Sequence, residues 1–220
     1  MIKYLYGKKE FLEPIAKGEI SPRFSDLGHY SRLENALMRD KETEKEFLWD
    51  KNVGELFING HHISRESLAS DPIWKVPPRH CYCLCLSSKK NSNELFERFN
   101  ADYCLAIDIP ILIESLKSTF GHEIRGLVFQ HSEITYYAKY DDLLGVSSEQ
   151  VVFYKPELFL PEAEYRIAIF YPLNEKGFYT SDGRIIPFQL EGESTHLQCN
   201  MENDDKYWSR VVVGSYEKTT

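Results

Sequence analysis

The stretch FLPEAEYRIAIFY, residues 159–171, constrains this chain more tightly than any other. Glu162, Glu164 and Arg166 recur at every second place inside an otherwise apolar run. A period of two is the period of a strand, so the spacing predicts two carboxylates and a guanidinium on one face. Two environments suit such a row. One is a wet outer face carrying a cross-strand ladder of charge, worth little energetically. The other is the floor of a catalytic cleft, where a carboxylate stabilises a developing positive charge such as an oxocarbenium-like centre. In a cleft the two carboxylates divide roles, one oriented by Arg166 and one free to meet a sugar hydroxyl.

Around this stretch the sequence reads as one α+β domain over residues 1–220, with short helices against mostly antiparallel strands. Aromatic residues make up 14% of the 220, which favours pleated, half-buried surfaces. KYLY (3–6), CYCLCLS (81–87) and DYCLAIDI (102–109) read as strands, the second of them central. KKEFLEPIAKGE and NELFERF read as helices, Pro14 kinking or dividing the first. PILIESLKSTFG reads as a third, opening with proline and closing with glycine. SPRFS reads as extended, and the run from Asp26 as a turn leading into a helix. The Asn-Gly pair in ELFINGHHIS predicts a tight hairpin. GLVFQHSEITYYAKY reads as a second hairpin with HSE at its turn.

The net charge of −8 excludes a globally basic nucleic-acid binder. A local channel of Arg32, Arg39, Lys89, Lys90 and Arg98 stays open for a single strand. No run approaches the roughly 18 apolar residues of a membrane span, and MIKYLYGKKEF lacks a signal-peptide core. Five cysteines, an odd number, point to reduced thiols. The expectation is a soluble, cytoplasmic protein with no membrane partner.

Cys81, Cys83 and Cys85 alternate on a strand, about 6.5–7 Å apart along it. That spacing suits core packing better than a tetrahedral metal site, whose ligands come from turns. His61 and His62 point to opposite faces, and no H-E-x-x-H spacing, nucleophile elbow, P-loop or dinucleotide fingerprint is present. No metal is expected. A second chemistry-bearing stretch, PRFSDLGHYSRLENALMRD, gathers Arg23, His29, Tyr30, Arg32 and Arg39. Guanidinium forks suit phosphate or carboxylate and aromatic rings offer stacking. The plainer alternative is an exposed helix whose arginines pair with Glu34 and Asp40.

The order of R-F-S…Y-S-R-L-E-N, C-L-C-L-S, F-N-A-D-Y-C-L-A-I-D-I-P and Y-K-P…E-A-E-Y-R-I resembles an uncharacterised bacterial family with a late K-P…E-x-E-Y-R element. Its layout is similar to the ADP-ribosyltransferase superfamily of bacterial toxin and phage-defence type. That resemblance implies a split pair of small sheets with NAD, as substrate, in the cleft between them. It implies that Arg23 holds NAD phosphate or ribose, Tyr30 stacks on nicotinamide and Ser87 is the middle-strand residue. Glu164 takes the catalytic place, with Glu162 its close competitor, and Arg32 and Arg166 are candidates for substrate contacts. The acceptor would be protein or nucleic acid, with an antitoxin-like protein as a candidate further partner. The chain departs from the pattern in lacking an S-T-S strand, and its E-x-E pair leaves the target residue type open. Two other readings stand beside it. One is a non-catalytic interaction module of a bacterial defence or toxin–antitoxin system. The other is a metal-dependent nuclease using Asp102, Asp108, Glu162 and Glu164, although arginine stands two places after Glu164 where the nuclease pattern has lysine.

Overall fold

Cys81–Ser87 is the strand about which the others assemble. The computed structural model describes residues 1–33, 42–124, 127–141, 143, 145–187, 196–198 and 207–219. Arg39, Glu34, Asp40 and Cys199 lie outside the described residues. The main sheet has eight strands, β1 (Ile2–Gly7), β2 (Phe24–Asp26), β3 (Cys81–Ser87), β4 (Tyr103–Asp108), β5 (Val128–Glu133), β6 (Glu164–Phe170), β7 (His196–Leu197) and β8 (Val212–Glu217). Every pairing in it is antiparallel.

On one side β3 pairs along its whole length with β6, from Glu164 opposite Ser87 to Phe170 opposite Cys81, and β5 continues beyond. On its other side the sheet forks. β2 pairs with the start of β3, at Tyr82 and Cys83, and carries β7 on its far edge. β1 meets β3 only at Ser87 and leads outward to β4 and β8. Among the described residues, the edge of β3 from Leu84 to Leu86 therefore has no strand partner on the forked side.

Alternation along β3 sorts the layers as the pleat dictates. Tyr82, Leu84 and Leu86 join Ile167, Ile169, Leu105 and Ile107 in the main core. Helices α1 (Lys9–Lys17) and α3 (Ile109–Glu123) cover that face with Leu12, Ile15, Leu112 and Leu116. Pro14 sits inside α1, and Gly18 ends it at φ 82°, the left-handed conformation that glycine adopts without strain. Cys81 and Cys83 turn to the opposite face and pack with Leu27, Val152, Ala168 and Phe170, as their strand alternation predicts. Helix α2 (Asn93–Arg98) contributes Phe96 to a smaller cluster with Cys104.

The Asn-Gly hairpin forms, with Asn59 at φ 51° and Gly60 at φ 80° giving the doubly positive turn that matches strand twist. The second expected hairpin does not. β5 runs straight through HSE, and Thr135–Tyr137 pairs instead in parallel with Tyr154–Pro156. The reason is partner choice: β6 takes the inner edge of β5, and Ile134 N–H donates to Glu164 O where the chain leaves the sheet. After Asp26 a 3-10 helix, Leu27–Arg32, replaces the start of the expected α-helix.

The charged row also changes. Glu157–Glu162 is a 3-10 helix and Ala163 turns left-handed at φ 44°, so β6 begins only at Glu164. Glu162 thus leaves the strand yet stays beside Glu164. Because a side chain in this conformation costs about 1–2 kcal/mol, Ala163→Gly should raise or hold the urea midpoint, whereas β-branched Ala163→Val should lower it. A midpoint unchanged in Ala163→Val would contradict the left-handed turn.

Candidate functional site

The fork is occupied by a cavity of about 430 Å³, within the usual range of small-molecule sites. Tyr4 to Lys8 of β1 and its exit form one wall, and Phe11, Leu12 and Ile15 of α1 another. The open edge of β3 contributes Leu84 to Ser87. Arg23, Ser25 and His29 close one end, Lys155, Glu162 and Glu164 close the other, and the Tyr30 phenol reaches in between them beside Cys85. Five candidates chosen from the sequence, Arg23, Tyr30, Ser87, Glu162 and Glu164, therefore line one cavity.

The carboxylate end is built from buried charge. Glu162 and Glu164 are each 4% exposed and Arg166 is 0% exposed, which rules out the wet ladder. Arg166 Nε donates to Glu164 Oε1 at 2.8 Å. Its two terminal nitrogens grip Glu42 at 2.7 and 3.0 Å, and one also donates to Val152 O at 2.7 Å. Lys155 Nζ bridges Glu162 and Glu164 at 2.7 and 2.9 Å. Arg98 holds the other oxygen of Glu162 at 2.9 Å, and Lys45 holds Glu42 at 2.8 Å. Three carboxylates thus face four cations.

Burial alone would raise the Glu164 carboxyl, but Arg166 and Lys155 outweigh it and hold the group at about 2. Glu42 is driven down in the same way, burial opposed by Arg166 and Lys45. Lys155, disfavoured by burial, is pushed upward by Glu164 and Glu162. Glu164 is therefore a permanent anion at neutral pH. Each of its oxygens accepts one of these bonds and keeps a second lone pair.

Ser87 Oγ donates to Glu162 O at 2.7 Å and accepts from Lys89 N–H, so it fixes the turn that carries Glu162. Tyr30 Oη donates to Cys83 O at 3.2 Å, and burial with the nearby Cys85 thiol pushes its phenol far upward. Arg23 is exposed at the opposite end. Arg166 does not line the cavity. With four of its five N–H groups engaged and no exposure it positions Glu164 rather than touching a ligand. Arg32 pairs with Asp26 at 2.9 Å, away from the cavity lining. Lys89 and Arg98 are likewise tied to Glu94 and Glu162, so these members of the expected strand-binding channel are already engaged.

Asp108 caps α3 by accepting from Ile111 N–H, and Asp102 accepts from Lys9 N–H at 2.7 Å. Neither lines the cavity beside Glu162 and Glu164. Among the described residues, no cluster of three or more His, Cys, Asp and Glu side chains is arranged to hold a metal ion. Among them, too, no helix is long and apolar enough to cross a membrane. Sequence reasoning missed Glu42, Lys45 and Lys155. Lys155 stands in the quoted Y-K-P element and could have been found there; Glu42 and Lys45 lie in a charged run that reads as surface. No family model matches the chain, and neither a curated protein nor a solved structure matches it.

Removing one member of a buried ionic cluster leaves its partner uncompensated, at a cost of about 3–5 kcal/mol. Glu164→Gln should therefore lower stability by that order. Adding Lys155→Met removes one of the two cations that Glu164 had balanced and should recover part of the loss, read as a non-additive double-mutant cycle in urea. Strict additivity would contradict the network. Acid should act on the same contacts. Glu164 has a folded value of about 2 against an ordinary 4.5, so the unfolded chain binds more protons between them. Its stabilisation is present above pH 4.5 and lost as pH falls towards 2, which urea midpoints across that window would show.

Proposed function

We propose that the chain is an intracellular, NAD-consuming enzyme of ADP-ribosyltransferase type, a toxin or antiviral effector acting on protein or nucleic acid. The convergence of Arg23, Tyr30, Ser87, Glu162 and Glu164 on one cavity carries this reading. These residues span the chain from position 23 to position 164, and the gap at the fork of the eight-stranded sheet is the cleft that this reading uses.

In this reading NAD lies along the cavity. Arg23, exposed at one end, takes phosphate or ribose oxygens, and Tyr30 offers its ring to nicotinamide. As the glycosidic C–N bond breaks, nicotinamide leaves with the bonding electrons and positive charge grows on the ribose. Glu164, fixed as an anion by Arg166 and Lys155, stabilises that charge without reorganising. A nucleophile of the acceptor then attacks the anomeric carbon and gives its proton to water. Glu162, tied by Arg98 and Lys155, is positioned to accept a ribose hydroxyl.

A second reading has one observation in its favour. The Leu56–Ile63 hairpin exposes Phe57 at 57% and Ile58 at 53%, an apolar tip suited to a protein surface. It fits a non-catalytic module with an antitoxin-like partner, or equally the acceptor contact of the enzyme.

Nicotinamide release from NAD, with and without cell lysate, tests the proposal. Arg23→Ala should weaken NAD binding about 10- to 100-fold, in line with a lost charge-assisted bond. The balanced variant Glu164→Gln with Lys155→Met should lose about 100-fold or more in turnover while staying folded. Absence of NAD binding in calorimetry, or full turnover in the folded double variant, would overturn the reading.

A further inference from the structure

The end of the cavity opposite Glu164 carries a second set of reactive groups that the NAD reading does not use. Ser25 lies on β2 and lines the cavity. Its Oγ is 3.0 Å from Nδ1 of His196, which sits directly opposite it on β7. His196 itself is exposed and not part of the cavity lining, so the imidazole stands beside the hydroxyl, outside the cavity. A general base is needed within hydrogen-bond reach of its nucleophile, and this pair meets that distance.

We propose that Ser25 and His196 form a nucleophile–base pair that cleaves small carboxylic esters at this end of the cavity. Arg23, two residues before Ser25, lines the same end and is exposed, so its guanidinium is available to the oxyanion that forms. The apolar side chains of Phe11, Leu12 and Ile15 on α1 form a wall against which a short acyl group packs. The step balances without any further reactant than water. Ser25 Oγ bonds to the ester carbonyl carbon, and its proton passes to His196 Nδ1. The ester C–O bond breaks, the alkoxide leaves and takes that proton. Water then attacks the acyl-serine by the same route, releasing the acid and restoring the hydroxyl.

The groups around the imidazole suit this role. Burial, and then Arg23, lower the His196 proton affinity, while Asp26 acts in the opposite sense. His29, whose ring edge meets His196 at 5.0 Å between centroids, is itself lowered to about 4 by burial, by His196 and by Arg23. Both rings are neutral at pH 7, and a neutral imidazole is what a base needs. The pair is also separate from the carboxylate end. Ser25 pairs across β3 with Cys83, and Glu164 with Ser87, so their backbones stand roughly 16 Å apart.

A fluorophosphonate probe decides the matter, because it labels only activated serines and mass spectrometry locates the label. The expected result is a single adduct at Ser25, together with hydrolysis of p-nitrophenyl acetate and butyrate. His196→Gln should slow labelling about 100-fold, the usual worth of a general base, with an unchanged melting temperature. Labelling should hold its plateau at pH 7 and fall only below the ordinary histidine range. Glu164→Gln with Lys155→Met should label like the wild type, so loss of NAD turnover and loss of this activity are told apart. No adduct at Ser25 in the wild-type chain would overturn the proposal, whatever the fold of Ser25→Ala. Labelling at Ser25 that is insensitive to His196→Gln would overturn it as well.

Discussion

Arg166 has no contact with solvent, so its guanidinium must be neutralised where it stands. Everything around it answers to that requirement. Glu42 takes the two ends of the fork, Glu164 takes Nε, and the carbonyl of Val152 takes a further donor. Lys45 and Lys155 then balance the carboxylates recruited by the arginine. The cluster draws on the segment before β3, the 154–156 strand and β6. Its geometry ties those segments together more specifically than apolar contact would, since each oxygen has a designated donor. The same ties hold Glu164 in one orientation at the cavity, so a requirement of folding and the precision of the site have one cause.

The cavity depends on a second constraint, the fork at β3. A sheet that paired β1 and β3 throughout would leave no room between them. Here the single contact at Ser87 and the short β2 leave the middle of β3 open on that side, and α1 closes the gap with apolar side chains. A ligand in this gap meets backbone on one side, apolar helix on another and charge at the ends. Such a mixture fixes orientation while burying much of the ligand surface.

Much of this was legible in residue order. The alternation in CYCLCLS announces a strand with a cysteine face, and the cysteines do pack into a core rather than onto solvent. The Asn-Gly turn and the three helices follow local rules that need no tertiary information. The misreadings share a different origin. HSE looked like a turn because it is polar, yet β5 is an edge strand and an edge strand may be polar along its length. Glu162 looked like a strand residue because periodicity cannot see the left-handed turn at Ala163. Arg166 looked like a ligand contact because a charged residue in an apolar run invites that reading. Its partner Glu42 stands 124 residues away, and no local pattern connects the two.

The two ends of the cavity differ in a way that limits what each can do. The carboxylate end holds fixed charge. Glu164 stays ionised far below neutral pH and Lys155 stays protonated far above it, so neither can shuttle a proton in the physiological range. Such groups stabilise charge that appears elsewhere. The other end holds neutral imidazoles beside a hydroxyl, which can move a proton but carry little charge of their own. Chemistry that needs both, the capture of a cationic intermediate and the deprotonation of a nucleophile, can be served in this cavity only by a ligand long enough to reach from one end to the other, or by an acceptor that brings its own base. A short ligand would meet only one of the two. Ligand length is therefore the variable that separates the reactions open to this site.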